Sequence, residues 1–251
     1  MVLLAGPGDS TPIVYNALRQ DFDVVRVILE PPEPRAEFLR RRLRRYGAAK
    51  VLGQLLFRAF VVPLLRLSAR SRIRELKRTF GLDETPIAPD RVLAVRSANS
   101  QETMAALRQL VPAAVVINGT RVLSRELLGS VAVPFLNLHA GITPLYRGVH
   151  GGYWALVQGD RARCGVTVHL VDEHIDTGGV LGQAAIEPGP RDSFVTYPLL
   201  QLGTGLPLLK QALRQVLGGT PDLRPVPAGP SRLWSHPTLW DYLRNRVRGV
   251  R

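Results

Sequence analysis

The sequence predicts an α/β protein built on a doubly wound, mostly parallel sheet. Short apolar, β-branched runs alternate along the chain with longer segments of helical periodicity, which is the pattern of strands joined by crossover helices. The length of 251 residues suffices for one sizeable α/β domain with a short appendage. Three of the apolar runs end on polar residues or an acidic loop, and ligands bind at that edge of such a sheet.

Seven runs rich in apolar and β-branched residues are the predicted strands. They are residues 1–5, 22–30, 91–95, 113–118, 134–139, 164–171 and 180–187. Helical segments separate most of these runs, which predicts parallel pairing. The last strands follow one another closely, so we expect them to add antiparallel pairs.

Helices are predicted from capping residues and from the residues that stop them. The segments with this pattern are residues 10–19, 97–110, 153–158 and 192–217. Asp9 or Ser10 is the expected cap of the first helix, and Asp192 or Ser193 is that of the last. Pro112 stops the second helix.

The net charge of +13 is concentrated in one segment, residues 35–82, between the second and third predicted strands. This segment contains 14 Lys and Arg residues and two acids, so it accounts for +12 of the total. Apolar residues at helical spacing predict a basic helical insertion. Its apolar centre, residues 51–67, is interrupted by Arg58, Pro63 and Arg66, and we expect it to be too short to span a bilayer.

Three roles of the insertion fit its composition. The first is that its helices pack on the domain and expose their arginines to solvent. The second is that it lies on a membrane surface that contains anionic lipid, and the third is that it binds an acidic macromolecule. Nucleic acid is the least favoured of these partners. Base stacking needs aromatic residues, and few of them, such as Phe38, Tyr46, Phe57 and Phe60, lie among the arginines.

The compartment is predicted from cysteine content and from the N-terminus. The single cysteine, Cys164, excludes a disulfide framework and a zinc cluster, and no metal is expected. The first residues lack the basic region and the apolar length of a signal peptide. We therefore expect a cytoplasmic protein, with peripheral contact to a membrane through residues 35–82 as the additional option.

Asn137 and His139 end the strand predicted over residues 134–139 and share one of its faces, because side chains alternate along a strand. The loop VDEHIDTGG, residues 171–179, follows a neighbouring strand and contains Asp176. An amide donor, a histidine that titrates near neutrality and an aspartate that orients it suit acyl transfer without a covalent intermediate. The alternative is that the two polar residues close a turn.

Three segments in this order resemble the folate-dependent formyltransferase family. They are INGTRVLSREL at 117–127, NLHAGITPLYRG at 137–148 and GVTVHLVDEHIDTGGVLGQ at 165–183. That family includes glycinamide ribonucleotide formyltransferase, methionyl-tRNA formyltransferase and the sugar N-formyltransferases. The resemblance covers residues 91–218 well and residues 1–30 weakly. It implies the Rossmann-like formyltransferase fold, 10-formyltetrahydrofolate as co-substrate and a part in one-carbon metabolism.

The resemblance also implies roles for individual residues. Asn137 and His139 would hold and polarise the formyl group, Asp176 would orient His139 and help relay a proton, and His169 would support the site. The residues that would hold the co-substrate are Gly119, Arg121, Val122, Leu123, Glu173, His174 and Ile175. The residues that would meet the acceptor are Gly8, Asp9, Ser10, Tyr146, Arg147 and His150.

The expected acceptor follows from elimination within that family. Enzymes that formylate glycinamide ribonucleotide have a Gly-Ser-Asn phosphate loop where this chain has GPGDST, residues 6–11. The 33 residues after Gly218 are expected to be too few for the C-terminal domain of the tRNA enzymes, and a first strand at Met1 leaves no room for the N-terminal domain of the deformylases. An amino-sugar nucleotide is the expected acceptor. The alternatives are hydrolysis of formyltetrahydrofolate, an amino-acid, lipid-linked or carrier-bound amine, and a catalytically silent scaffold.

We expect one catalytic domain over residues 1–218, which contains the basic insertion, and a tail over residues 219–251. The tail begins Pro-rich and then places Trp234 and Trp240 near a segment with helical spacing from Pro237 onward. Such aromatic residues predict packing. The tail either folds back on the domain or packs against a partner subunit in a homodimer.

Overall fold

The computed structural model describes residues 1–226 and 228–251. Within these residues the strands lie close to the predicted runs, and two short strands are added. The strands are β1 (Val2–Ala5), β2 (Arg26–Leu29), β3 (Val92–Ala94), β4 (Val115–Asn118), β5 (Phe135–His139), β6 (Tyr146–Gly148), β7 (Gly165–Leu170), β8 (Val180–Ala185) and β9 (Arg232–Trp234).

Helices connect the strands and make up the insertion and the end of the tail. They are α1 (Ser10–Leu18), α2 (Arg35–Tyr46), α3 (Ala48–Leu56), a π-helical turn (Phe57–Val61), α4 (Val62–Ser68), α5 (Arg70–Thr79), α6 (Gln101–Leu110), α7 (Arg125–Leu128), α8 (Gly151–Val157), α9 (Tyr197–Leu217) and α10 (Leu239–Val247).

Seven strands form one sheet in the order β3-β2-β1-β4-β5-β7-β8, and β6 pairs with β9 in a separate ribbon. The strands from β3 across to β5 are parallel, whereas β7 is antiparallel to both of its neighbours. This confirms the predicted fold class, including antiparallel pairs among the last strands. β2 begins later than predicted because it pairs residue for residue with the four residues of β1.

Apolar side chains fill a core on each face of the sheet. In β1, Leu3 and Ala5 pack with α1 and α9, whereas Val2 and Leu4 face α6, as alternation requires. A third cluster joins the insertion, α8 and the tail around Phe57. The sheet is therefore covered on both faces, and its carboxyl edge remains for the loops.

Asp192 and Ser193 do not cap α9, and that prediction is wrong. The N-cap is Thr196. The Asp192 carboxylate accepts hydrogen bonds from Nε and Nη2 of Arg72 at 2.9 and 3.0 Å and from the N–H of Gly189 at 2.8 Å. This ion pair joins α5 of the insertion to the domain. The Asp192 carboxylate is therefore not available to cap α9.

The π-helical turn joins α3 and α4 into one continuous helix, Ala48–Ser68. The helix has 21 residues and a mean hydropathy of 1.6, and 22% of its most apolar 18-residue window is buried. By length and composition alone it is long and apolar enough to cross a membrane, so the prediction of too short a segment is wrong. Pro63 does not interrupt it, because the wider π-helical turn just before Pro63 accommodates a residue without an N–H.

The tail folds back along its own chain. β9 runs parallel to β6, with Trp234 opposite Gly148. α10 then begins with a capping box and packs against α3. Gly53 of α3 makes room for the Trp240 ring, because a Cβ at Gly53 would lie 2.5 Å from it.

The insertion and the tail share Phe57, and its loss is the first test of this packing. The Phe57 ring is buried, 4.9 Å from the ring of Phe194 and 5.1 Å from that of Tyr242. We expect Phe57→Ala to lower the free energy of unfolding by about 3–5 kcal/mol, because a cavity remains. Phe60, in the same turn, is 63% exposed, and Phe60→Ala should change it by less than about 0.5 kcal/mol. Urea denaturation measures both, and equal effects would contradict the assignment.

Candidate active site

Polar side chains from β5, β7 and the loop after β7 converge on one face of the sheet, beside the carboxyl half of β5. The loop itself begins beside Phe135, at the amino end of β5 and not at the expected carboxyl edge, because β7 is antiparallel to β5. Asn137 is opposite His169 in the antiparallel β5–β7 ladder, so both side chains stand on the same face. His139 follows Asn137 by two residues and also stands on this face. The loop after β7 places Asp176 there, in the left-handed region at φ +53°.

The Asp176 carboxylate is the centre of this cluster. Its Oδ2 accepts the N–H of Gly148 at 2.8 Å and lies 3.4 Å from Nδ1 of His139. Its Oδ1 accepts from the Asn137 amide at 3.4 Å and lies 3.6 Å from Nε2 of His169. Burial favours the neutral acid, but the contacts with His169, His139 and the Gly148 N–H outweigh it. The pKa of Asp176 therefore lies below its ordinary value.

The tautomer of His169 follows from its partners. Its Nδ1 is 2.7 Å from the carbonyl oxygen of Leu170, which can only accept, so Nδ1 carries the proton. When only Nδ1 carries a proton, Nε2 accepts from the Asn137 amide at 3.2 Å. The amide nitrogen of Asn137 thus donates to both His169 and Asp176, and its orientation is set by two acceptors.

His139 is buried and held from both sides. Its Nε2 donates to the carbonyl oxygen of Tyr146 at 2.8 Å, so Nδ1 of the neutral ring turns a lone pair toward Asp176. Burial lowers the pKa of His139, although Asp176 and the Tyr146 carbonyl act in the opposite direction. Near neutral pH both Nδ1 of His139 and Oδ2 of Asp176 are therefore unprotonated. A proton placed on either atom would be shared between them.

The segment after β4, where the co-substrate is expected, is partly committed to contacts within the protein. The backbone N–H of Arg121 donates to Glu30 at 2.7 Å, and the Arg121 side chain pairs with the same carboxylate. The carbonyl of Val122 accepts from Asn99 at 2.9 Å. Within residues 1–226 and 228–251 the backbone N–H and C=O of Leu123 have no partner, so Leu123 keeps its hydrogen-bonding capacity for a ligand.

Gly119 sets the path of this segment past the loop after β1. It lies at φ +65°, where residues with a Cβ are strained. Its carbonyl oxygen closely approaches Gly6, since a Cβ on Gly6 would lie 2.3 Å from it. The two glycines thus allow the ends of β1 and β4 to lie side by side at the edge of the site.

The three expected co-substrate residues of the loop after β7 are braced by their surroundings. Glu173 forms an ion pair with Arg125 of α7. The N–H of His174 donates to Asp172 at 3.0 Å. The carbonyl of Ile175 accepts from Nη1 of Arg147 at 3.1 Å. These contacts fix the three residues that directly precede Asp176.

The expected acceptor residues divide into two groups. Gly8 and Asp9 are exposed in the loop after β1, and Asp9 is the N-cap residue of α1 without a side-chain capping bond. The Ser10 hydroxyl accepts from the Asn118 amide at 3.1 Å, which ties this loop to the end of β4. Arg147 holds the Ile175 carbonyl, as above. These four residues border the carboxyl edge of the sheet.

Tyr146 and His150 form the second group, and their side chains contact the tail. The Tyr146 hydroxyl donates to Asp160 at 2.9 Å, and its ring stacks on Trp234. The Nε2 of His150 lies 2.9 Å from Nδ1 of His236. Only the backbone carbonyl of Tyr146 touches the Asp176 cluster, through His139.

Gly148 is a site residue that sequence reasoning missed. Its N–H makes the shortest contact to Asp176, at φ +89°. The Arg-Gly pair of the NLHAGITPLYRG segment is the available signal for it. The partner of Gly148 in β9, Trp234, is far away along the chain, and local spacing contains no signal for that contact.

A family model described as formyl transferase matches residues 48–198, more than half of the chain. The chain belongs to the formyl transferase family. The matched region contains Asn137, His139 and Asp176, together with most of the insertion.

Curated relatives of this family member include methionyl-tRNA formyltransferases. That of Anaeromyxobacter dehalogenans is 38% identical over 116 residues, which is 46% of this chain and 37% of the relative. That of Levilactobacillus brevis is 26% identical over 240 residues, which is 95% of this chain and 64% of the relative. This chain thus covers less than two thirds of the length of either relative.

Solved structures with the same fold include other formyltransferases. A sugar N-formyltransferase from Shewanella sp FDAARGOS_354 gives a TM-score of 0.56 at 15% identity, covering 92% of this chain and 75% of that one. Phosphoribosylglycinamide formyltransferase from Anaplasma phagocytophilum gives 0.55 at 15% identity, covering 87% and 85%. At these identities the likeness shows the fold.

The contact between His150 and His236 predicts a pH-dependent stability. Burial, followed by the charge of Arg58, lowers the pKa of His150 to about 4, and burial followed by His150 lowers that of His236. In the unfolded chain both take up protons near pH 6.5. Stability is thus fully present above about pH 6.5 and is lost as the pH falls toward 4. We expect a loss on the order of 2 kcal/mol or more between pH 7.5 and 5 in urea titrations.

The matched variant for this prediction is His236→Asn. Asn keeps a hydrogen-bond donor for His150 and removes one titrating group, so the fall in stability between the two pH values should be clearly smaller. A variant whose stability falls as steeply as that of the parent protein would show that other groups cause the acid sensitivity.

Proposed function

We propose that this chain is a folate-dependent N-formyltransferase, which moves the formyl group of 10-formyltetrahydrofolate to the amine of a small acceptor. The observation that carries this proposal is the cluster of Asn137, His139 and His169 around the Asp176 carboxylate. It includes the carboxyl end of β5, and sheets of this class bind ligands beyond the carboxyl ends of their strands. Membership of the formyl transferase family supports the same reaction class.

Residues next to the cluster suit the folate co-substrate. Among the described residues the backbone of Leu123 has free hydrogen-bonding groups, and Nε of Arg147 is buried without a partner. Buried polar atoms of this kind are satisfied by a ligand or water. The co-substrate supplies a formyl carbonyl attached to a nitrogen that can leave. We assign its contacts to Leu123, Val122 and the loop from Glu173 to Ile175, and we propose no metal.

Asn137 supplies the donor for the oxygen that gains charge during transfer. Its two amide hydrogen bonds, to His169 and Asp176, are 3.2 and 3.4 Å long, which is the long end of the normal range and beyond it. A formyl oxygen that becomes negative would form a shorter, charge-assisted bond with this amide. Because the bond strengthens as charge develops, it lowers the barrier and not merely the energy of the bound state.

His139 and Asp176 move the proton. The attacking amine must lose a proton, and the leaving nitrogen must gain one. Burial keeps His139 neutral, and its Nδ1 can accept the first proton because the adjacent ionised Asp176 stabilises the imidazolium that forms. The Tyr146 carbonyl and the Gly148 N–H hold the two side chains in place, so the proton can be passed on without their reorientation.

For the acceptor we propose an amino-sugar nucleotide. The loop of residues 6–9 precedes the N-terminus of α1 beside the end of β4, and backbone N–H groups at such a position bind phosphate. The exposure of Gly8 and Asp9 leaves this loop open to a ligand. Hydrolysis of formyltetrahydrofolate and transfer to a different amine are the alternatives.

The cellular location and the partners of the protein are further proposals. We propose a cytoplasmic enzyme, in keeping with the buried free thiol of Cys164. A homodimer is a further proposal. The insertion is proposed to contact a membrane surface or an acidic partner.

A screen of acceptors separates these functions. The protein is incubated with 10-formyltetrahydrofolate and either an amino-sugar nucleotide, glycinamide ribonucleotide, methionyl-tRNA or no acceptor, and released tetrahydrofolate is compared with formylated product. Equal amounts of both with the sugar nucleotide support the proposal. Release without any acceptor identifies a hydrolase, and formylation of another acceptor replaces the proposed substrate.

Removal of the histidine side chain tests the mechanism. We expect His139→Ala to lower turnover by on the order of 10²-fold or more, because the proton acceptor is lost. Asn137→Ala should lower it by a similar factor, as loss of an oxyanion donor does. Affinity for the folate co-substrate should change little, since its proposed contacts lie at Leu123. Steady-state kinetics and direct binding of the co-substrate measure the two effects separately.

Asn137→Asp is the matched variant, because it keeps the size of the side chain and removes both amide donors. Gln158→Ala, at the exposed end of α8, is the control with unchanged activity. Near-normal turnover of His139→Ala would rule out the proposed mechanism.

A further inference from the structure

The continuous helix Ala48–Ser68 has one face packed against the protein and the opposite face exposed. On the packed face Val51, Gln54 and Phe57 are buried. The exposed face presents five large apolar side chains, each between 46% and 65% exposed. They are Leu52, Leu55, Phe60, Leu64 and Leu67, here named the apolar row.

The π-helical turn aligns the two halves of the apolar row. Leu52 and Leu64 are twelve positions apart in the sequence, and on a straight α-helix they would point about 120° apart. The bond from the Val62 N–H to the Phe57 carbonyl inserts one extra residue into the turn. That residue takes up about 100° of the difference. Leu55 and Leu67 have the same spacing, so both pairs stand on one stripe.

Basic residues flank the apolar row. Arg58 and Arg66 are exposed on the same helix. α2, which packs against α3 and buries none of its own residues, adds further exposed arginines. These are Arg35, Arg40, Arg41, Arg44 and Arg45. Between residues 35 and 68 the sequence contains one acid, Glu37.

We propose that residues 35–68 dock the protein on a lipid bilayer that contains anionic headgroups. The apolar row enters the boundary of the acyl chains, and the arginines bind the headgroup phosphates. Charge and apolar surface together select this partner. Nucleic acid would pair with the arginines and leave the leucines in water, and a second copy of this face would bring like charges together.

The helix lies along the membrane surface and does not span it. Its packed face contributes Phe57 to the cluster shared with the tail, and Gln54 donates to the carbonyl of His236 at 2.7 Å. Withdrawal of the helix into a bilayer would break both contacts. A helix with one apolar face, one packed face and flanking arginines suits an interfacial position.

The docking face adjoins the loop assigned to the acceptor. Nη2 of Arg66 lies 3.8 Å from the carboxylate of Asp9, in the loop after β1. Docking would therefore hold this loop at the membrane surface, where the amine of a lipid-linked acceptor, one of the alternatives to the sugar nucleotide, would be within reach. This last step rests on the proposed function, whereas the docking itself does not.

A single labelled position reports docking directly. Cys164 is the one cysteine of the chain and is fully buried, so Phe60→Cys gives a unique site for an environment-sensitive fluorophore. With vesicles of phosphatidylglycerol and phosphatidylcholine at about 20 mM salt, we expect a blue shift and a severalfold rise in emission. The signal should weaken at about 500 mM salt, because screening shortens the reach of charge. Pure phosphatidylcholine should give a small signal, and a label at Leu217→Cys, on the exposed end of α9, should give none.

Paired variants separate the apolar and the charged contributions. Leu64→Ser with Leu67→Ser should weaken vesicle affinity by about tenfold or more, whereas Leu217→Ser should leave it unchanged. Arg40→Glu with Arg44→Glu should weaken it by about tenfold or more at low salt. Arg91→Glu with Arg96→Glu makes the same charge change away from the insertion, and it should change affinity by less than about threefold. All seven arginine and leucine sites are exposed, so urea denaturation should show that the variants remain folded.

Three results would overturn the docking proposal. The first is a label at position 60 that ignores anionic vesicles at low salt while the protein is folded. The second is a dimer in light scattering that Leu64→Ser with Leu67→Ser dissociates, which would make the row an interface between copies. The third is tight RNA binding without any response to lipid. If vesicles bind and no acceptor is formylated, the proposed function fails and the docking stands.

Discussion

A single carboxylate, that of Asp176, constrains the arrangement of the site. A negative charge that is nine-tenths buried has to be compensated by donors or by positive charge. The compensation comes from β5 and β6 through the Asn137 amide and the Gly148 N–H, and the histidines of β5 and β7 add to it when they are protonated. The order of strands around β5, and the antiparallel course of β7, are what bring these groups within reach of one carboxylate.

The same constraint extends outward to the tail. Gly148 can donate to Asp176 because β6 is held in place by β9, and β9 is anchored by Trp234, which stacks on Trp154. The indole N–H of Trp154 in turn donates to the carbonyl of Ser235 at 2.9 Å. The insertion contacts this assembly through Phe57. The two segments that lie outside the predicted sheet thus both support the position of Asp176.

The sheet and the central cluster could be predicted because both leave local signals in the sequence. Buried strands appear as apolar runs, and Asn137, His139 and Asp176 occur in short motifs with fixed spacing. The ribbon of β6 and β9 could not be predicted, since three-residue strands leave no periodic pattern and their pairing joins distant parts of the chain. The continuity of Ala48–Ser68 was hidden for a different reason. A π-helical turn has no local sequence signature, so Pro63 appeared to be a stop.

The ribbon of β6 and β9 also makes the protein sensitive to a cut in a place remote from its chemistry. Residues 219–226, the first part of the tail, lead from α9 toward β9 and are exposed along their whole length. A protease that cleaved there would leave every polar residue of the cluster intact. The pairing of Gly148 with β9 would nevertheless become an association between two separate fragments. Such fragments dissociate at low concentration, because the high effective concentration of an intramolecular contact is lost. One cleavage in this linker would therefore remove the support of Gly148 and Asp176 before any part of the sheet unfolds.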